Sequence, residues 1–264
     1  MGCCTEMINI FTSVVNRPEF VEIQKKTFDK FLKEKYQFHV IDDSLDESIS
    51  TEFRRVCEAN EINYYRKPQG NRSLNESRWN GARHACETIQ WTYDTLIKAK
   101  YCNDLVLFLD SDMFLLDHFS MVDHMDDQII SGLKQVRGKV EYMWNGIMFF
   151  NMLKIMAIDP DLNFSDGLVE GELTDIGGHL YYYFKKNNIS LKDTGVDYPT
   201  HYNDLDLQKD AGGFNMELHL DGKFLHYRAG TNWHTQEKWK TGEDPLAIKK
   251  QIFDKIIEEN LNDN

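Results

Sequence analysis

Two aspartates, Asp110 and Asp112, end the first half of the stretch DLVLFLDSDMFLLD, residues 104 to 117. The run Leu105 to Leu109 is apolar and reads as a buried strand; it breaks at Asp110-Ser111-Asp112, and apolar residues resume at Met113. An ionised carboxylate at a strand end loses solvation unless something pairs with it, and two side by side repel. A divalent cation relieves both. In an extended segment residues i and i+2 point to the same side, so Asp110 and Asp112 can face one ion together. Mg²⁺ or Mn²⁺ held by one or two carboxylates keeps positions that substrate phosphates fill. Asp-x-Asp recurs at Asp159-Pro160-Asp161 and Asp204-Leu205-Asp206, but only the first pair follows a five-residue apolar strand.

The elements around this pair define a frame. The segment 7–15 reads as a short apolar strand, 17–35 as a helix with Phe20, Ile23, Phe28 and Leu32 on one side, and 36–44 as a second strand stopping at Asp42-Asp43. A helix over 47–61, a strand over 62–67, a turn-rich piece and a long helix from about 76 to 100 precede the 105–109 strand, and a further strand spans 141–152. The order β-α-β-α-β-α-β implies an α/β fold, a mainly parallel sheet with helices on both faces. Ligands of such sheets bind beyond the carboxyl ends of the strands. Thr12-Ser13, Asp42-Asp43 and Asp110-Ser111-Asp112 all fall at such ends.

Composition limits the function classes. The chain has 264 residues, 41% of them hydrophobic, enough for one large core. A formal net charge of −13 argues against a general nucleic-acid or anionic-membrane binder. No apolar stretch approaches the roughly 20 residues that span a bilayer. Five cysteines, all in the first half and without zinc-site spacing, read as reduced thiols and suggest a cytoplasmic protein. The opening Met-Gly-Cys-Cys suggests acylation, although Glu6 stands where a myristoylation signal has Ser or Thr.

Two enzyme classes place Asp-x-Asp after an apolar strand. Haloacid-dehalogenase-type phosphatases carry it on the first strand, whereas here it ends the fourth. Metal-dependent glycosyltransferases place it mid-chain, after a nucleotide-binding half. The chain resembles GT-A glycosyltransferases from about residue 7 to residue 235, on LFLDSDMF, on WNGIMFFN (144–151) and on FLHYRAGTNWH (224–234). The last is similar to the family 8 segment in which a His completes the metal site. The resemblance implies a GT-A fold in a single domain, residues 1–240, with a C-terminal helical appendage at 241–264. It implies a nucleotide-sugar donor with a saccharide or glycoprotein acceptor, and Mn²⁺ (or Mg²⁺) held by Asp110, Asp112 and His226. Asn145 and Gly146 would border the sugar, and Thr12, Ser111, Gly230 and Trp233 would line the donor site. The family 8 diphosphate lysine is replaced here by Asn232, which leaves Arg228 or Arg78. Asp42-Asp43 resembles instead the family 2 pattern, in which an Asp reads uracil.

The resemblance also implies an acceptor-side acidic residue in the interval 167–184, between the sugar-pocket strand and His226; the choice is Asp175, followed by Gly177-Gly178, with Glu172 and Glu170 as rivals. Against a glycosyltransferase stand the phosphatase and a GT-A-shaped binding protein without turnover. A pyrophosphorylase fits less well, because the first strand lacks a Gly-rich, Arg-containing loop.

Overall fold

Strands that are buried on both faces must be covered on both, and the two central first-half strands are of that kind. β1 (Ile8–Val14) and β4 (Leu105–Asp110) are buried nearly end to end, as parallel strands in the middle of an α/β sheet are. The computed structural model describes residues 7–70, 81–207, 215–228 and 245–262. In it β2 (Tyr36–Asp42) and β3 (Asn63–Arg66) extend the sheet on one side of β1. On the far side of β4 come the long β7 (Val140–Asn151) and then β6 (Ile130–Arg137), while β5 (Met113–Leu115) leaves this sheet. Shorter strands follow: β8 (Gly167–Val169), β9 (Glu172–Thr174), β10 (Lys192–Asp193), β11 (Val196–Asp197), β12 (His201–Tyr202) and β13 (Leu205–Asp206). β14 (Glu217–His219) and β15 (Phe224–His226) complete the set.

The main sheet runs in the order β10-β6-β7-β4-β1-β2-β3. β3, β2, β1 and β4 are parallel, and β7 is antiparallel to both of its neighbours. The expected α/β arrangement is therefore present, a mainly parallel sheet flanked by helices. α1 (Pro18–Phe31) and α2 (Glu47–Ala59) make the β1-β2-β3 crossovers. Asp46 caps α2, accepting from the Ser48 N–H at 2.8 Å. α3 (Gly81–Thr92) continues through a π-helical stretch at Tyr93–Ile97 into α4 (Lys98–Lys100). α5 (Met121–Met125), α6 (Met152–Ile158) and α7 (Leu180–Asn187) follow the later strands.

A second, antiparallel sheet stands beside the first in the order β11-β14-β15-β5. Its β5 begins three residues after β4 ends, so the Asp110-Ser111-Asp112 turn is the hinge between the two sheets. The C-terminal helix α8 (Pro245–Asn262) lies on this second sheet and on α1. Phe253 is fully buried, its ring centroid 4.7 Å from that of Phe114, 5.1 Å from Tyr227 and 5.5 Å from Phe20. α8 thus takes part in the packing around β5 and β15. Phe253→Ala is expected to lower stability by about 3–5 kcal/mol, the usual loss for a buried Phe, measured by urea unfolding. A loss near zero would mean that α8 is detachable.

Candidate metal centre

β1 and β4 are neighbours, yet the chain proceeds from β1 to β2 and β3 on one side and only later returns to β4 on the other. That reversal opens a crevice at the carboxyl ends of β1 and β4. Ser13 lies beside Asp110 in register there. The turn after Asp110 is held from below by α1: the Gln24 side-chain N–H₂ donates to the Asp110 carbonyl at 2.9 Å and to the Met113 carbonyl at 3.0 Å.

The second sheet supplies the third ligand. β15 pairs antiparallel with β5, His226 opposite Met113, and the Tyr227 N–H donates to the Asp112 carbonyl at 2.8 Å. Asp110, Asp112 and His226 consequently offer ligand atoms within 4.8 Å of one another. His226 Nε2 stands 3.5 Å from Asp112 Oδ1. Burial, the adjacent Asp112 charge and that of Asp175 push the Asp110 carboxyl up to about 7, against the pull of His226. Burial works against a charged His226, but Asp112 and Glu217 overcome it and hold the imidazole at about 9. Among the described residues two carboxylates and one imidazole thus crowd into one small space. Two carboxylate oxygens and one imidazole nitrogen form a largely hard donor set, which suits Mn²⁺ or Mg²⁺. The sequence-predicted trio is brought together.

β7 forms the neighbouring wall. Leu109 pairs with Ile147, which puts Gly146 next to Asp110 one step further along the register. A Cβ on Gly146 would meet the Trp144 indole at 1.8 Å, so the glycine makes room for that ring. The Trp144 ring centroid lies 5.4 Å from that of His226. Asn145 is 4% exposed, and its side-chain oxygen has no hydrogen-bond partner among the described residues. Thr12 is fully buried with its hydroxyl likewise unpartnered, and Ser111 is buried in the turn. Unsatisfied buried oxygens are uncommon and mark places where a ligand can supply the missing donor.

Asp175 is exposed, and its charge adds to the upward shift of the Asp110 carboxyl. Its N–H donates to the Tyr142 hydroxyl at 3.2 Å, and its Oδ1 accepts from the Ile176 N–H at 2.8 Å. Gly177, at φ 87°, presses against β7: a Cβ there would stand 2.1 Å from the Met143 carbonyl oxygen. His179, not Asp175, flanks the start of α7. The rivals are placed elsewhere. Glu170 sits in the β8–β9 turn with Lys185 at 3.4 Å, and Glu172 lies against Gly138 at the β6–β7 turn.

At the end of β2 the two aspartates differ. Asp42 is fully buried and already accepts from the Ser44 N–H at 2.8 Å, the Tyr64 hydroxyl at 2.6 Å, and the Ser44, Ser50 and Arg66 side chains. Its role in this structure is to tie β2, α2 and β3 together. Asp43 is 3% exposed and is met by Lys67 at 3.2 Å and Gln69 at 3.3 Å. Arg78, Gly230 and Trp233 lie outside the described residues, as do Asn232 and the opening Met-Gly-Cys-Cys.

Sequence reasoning missed Gln24, Arg66, Glu217 and Lys249. Lys249 of α8 is 1% exposed; it donates to the Arg228 carbonyl at 2.8 Å and lies 4.3 Å over the Tyr227 ring. Burial draws its ammonium down to about 8. A readable signal existed for Glu217. Asp221-Gly222 is a hairpin turn pair, and centring the hairpin there sets Glu217 opposite His226, as observed.

No protein-family model and no curated protein matches the chain. Among solved structures it is similar to a mannosyltransferase, PcManGT from Pyrobaculum calidifontis, in complex with GDP-Man and Mn²⁺. The identity is 10%, the TM-score 0.46, and the match covers 70% of this chain and 54% of that one. It is also similar to the galactosyltransferase LgtC in complex with donor and acceptor sugar analogs, at 16% identity and a TM-score of 0.36, over 58% of this chain and 61% of that one. An active-site mutant of LgtC matches at 17% identity and a TM-score of 0.37, over 58% of this chain and 60% of that one. The chain therefore spans little more than half the length of these proteins. The likeness is one of fold and adds nothing to the site beyond its own geometry. Among the described residues no helix is long and apolar enough to cross a membrane, and Cys57, Cys86 and Cys102 are free thiols.

Burial pushes the Asp42 carboxyl up, but hydrogen bonds from Ser44, Ser50 and Tyr64 outweigh it and hold it below its ordinary value. The folded state therefore favours the ionised form. That contribution is complete above the ordinary carboxylate range and drains as pH falls below about 4. Asp42→Asn is expected to cost about 1–3 kcal/mol at pH 7, the typical effect of unbalancing a buried hydrogen-bonded group, and progressively less below pH 4. Urea unfolding of both proteins at pH 7 and pH 3 measures it; an unchanged difference would refute the assignment.

Proposed function

We propose that this chain is a metal-dependent glycosyltransferase of the GT-A type, moving a sugar from a nucleoside-diphosphate sugar to a hydroxyl of a saccharide or glycoprotein acceptor. One observation carries the reading: two carboxylates and an imidazole converge within 4.8 Å at the switch point of an α/β sheet. Asp110, Asp112 and His226 would hold Mn²⁺ or Mg²⁺, which when bound neutralises the charge developing on a diphosphate leaving group. Thr12 and Asn145 present unpartnered oxygens to the hydroxyls of the donor. Asp43, beside Lys67, is the candidate reader of the base and favours uridine; Asp42 has its acceptor positions engaged. Arg228 lies close enough to the metal ligands to face the diphosphate, and Gly230, Trp233 and Arg78 remain candidates by resemblance. Asp175 takes the proton of the acceptor hydroxyl, or orients the sugar if configuration is retained. In this reading residues up to about 240 make up the catalytic unit, the helix after them buttresses it, and the protein acts in the cytoplasm.

Calorimetry with UDP and GDP, each with Mn²⁺ and with EDTA, tests the metal reading. Nucleotide binding is expected to need the metal, and Asp112→Asn is expected to abolish metal-dependent binding and transfer while leaving the unfolding midpoint near that of the parent. Equal affinity with Mn²⁺ and with EDTA would sink the metal bridge. A tenfold preference for GDP, about 1.4 kcal/mol, would overturn the uridine assignment.

Asp175→Ala is expected to lower kcat by about 10²–10⁴-fold, the usual share of a positioned general base, with UDP affinity nearly unchanged. A variant that transfers sugar at the parent rate would pass the role to Glu172 or Glu170.

A further inference from the structure

The metal reading leaves open what decides which nitrogen of His226 meets the ion. A ligating imidazole must present an unprotonated nitrogen, and the partner of the other nitrogen fixes which one that is. His226 is 5% exposed and stands directly across from Glu217 in the β14–β15 pair. Its Nδ1 lies 3.0 Å from Glu217 Oε2, while its Nε2 faces Asp112 Oδ1 at 3.5 Å. The two carboxylates thus take opposite edges of one ring. Glu217 cannot turn away easily, because its other oxygen, Oε1, is 3.0 Å from Arg228 Nη1. His219 Nε2 approaches the same Oε2 at 3.7 Å from two residues further along β14. Glu217 is 7% exposed, so its carboxylate is mostly shielded from solvent.

We propose that Glu217 is the positioning residue of the metal centre, accepting the Nδ1–H of His226 so that Nε2 points unprotonated at the ion, and holding Arg228 in place with its second oxygen. It rests on the metal reading above. Glu217 therefore couples two parts of the donor site: one oxygen sets the metal-binding imidazole, and the other sets the guanidinium beside it. Because it acts through His226, it need never touch metal or donor. The same residues allow a competing arrangement, since Glu217, His219 and His226 also offer ligand atoms within 4.8 Å of one another. There Glu217 would be a ligand itself.

The test uses the full chain and divalent metal alone. Mn²⁺ titration calorimetry is expected to show affinity about 10–100-fold weaker in Glu217→Gln, the usual loss when such a partner is changed, and at least as weak in Glu217→Ala, with parent-like circular dichroism. Histidine ¹⁵N NMR of the Mg²⁺-loaded parent needs no variant, and so stands even if the variants fail to fold. It is expected to show His226 protonated at Nδ1 and not at Nε2. An Nε2–H tautomer, or parent-like Mn²⁺ affinity in Glu217→Gln, would overturn the proposal while leaving the metal site intact. Zn²⁺ binding that survives Asp110→Asn and Asp112→Asn but is lost in His219→Ala would also overturn it, in favour of Glu217 as a ligand. A parent chain that binds no Mn²⁺ at all would refute the metal reading and this inference with it.

Discussion

The structure depends on the repulsion between Asp110 and Asp112 at a place where neither can be fully hydrated. Two like charges within a few ångströms interact by several kcal/mol at the effective dielectric of a protein surface, so the folded chain must be strong enough elsewhere to hold them there. It does so with backbone. The aspartates occupy the turn that joins two sheets, and the strands on both sides of the turn are buried core strands. Gln24 fastens the turn from the helix side and the Tyr227 N–H fastens it from the second sheet. The carboxylates inherit a fixed geometry from these bonds and have little freedom to relax apart.

From that constraint the surrounding charges follow. Glu217 stays ionised, at about 2, because His219, His226 and Arg228 override the effect of its burial. Arg228 is itself at a positive φ of 64°, and its carbonyl accepts from Lys249. Negative and positive groups thus alternate outward from the turn: Asp112, His226, Glu217, Arg228. Such alternation keeps a cluster of buried charges tolerable, since each charge has an opposite neighbour. Among the described residues Asp110, at the crevice end of this series, has the Asp112 carboxylate as its like-charged neighbour.

Most of the frame was legible in the sequence, because the first hundred or so residues follow local rules. The apolar runs, the helical spacing of Phe20 and Phe28 and the polar stops at Asp42 and Asp110 each point to the element that forms. Asp110, Asp112 and His226 could be named together only because a family resemblance joined residues more than a hundred positions apart. Spacing by itself could not do that. What stayed hidden was set by long-range pairing. Gln24 looks like an ordinary helical residue until the β4–β5 turn is laid over it. Lys249 sits in an unremarkable amphipathic stretch, and nothing local says that its ammonium will be buried. Asp42 and Asp43 are adjacent and alike in sequence. Only the placement of Tyr64, Arg66 and Lys67 on β3 and just beyond it separates a structural carboxylate from a candidate binding one.

The antiparallel pairing of β15 with β5 also bears on how the protein reaches its native state. The parallel strands β1 to β4 come from the first 110 residues and can associate while the rest of the chain is still being made. β5, by contrast, finds its partner only when residues 224–226 arrive, and α8 seals that contact later still. Closing a loop of that length is slow compared with forming a hairpin. During that interval β5 is an unpaired edge carrying Met113, Phe114 and Leu115, three side chains that are fully buried in the finished protein. An apolar edge left open is a site for pairing with other chains. A chain stopped before residue 224 would keep that edge open permanently, since β15 would be missing.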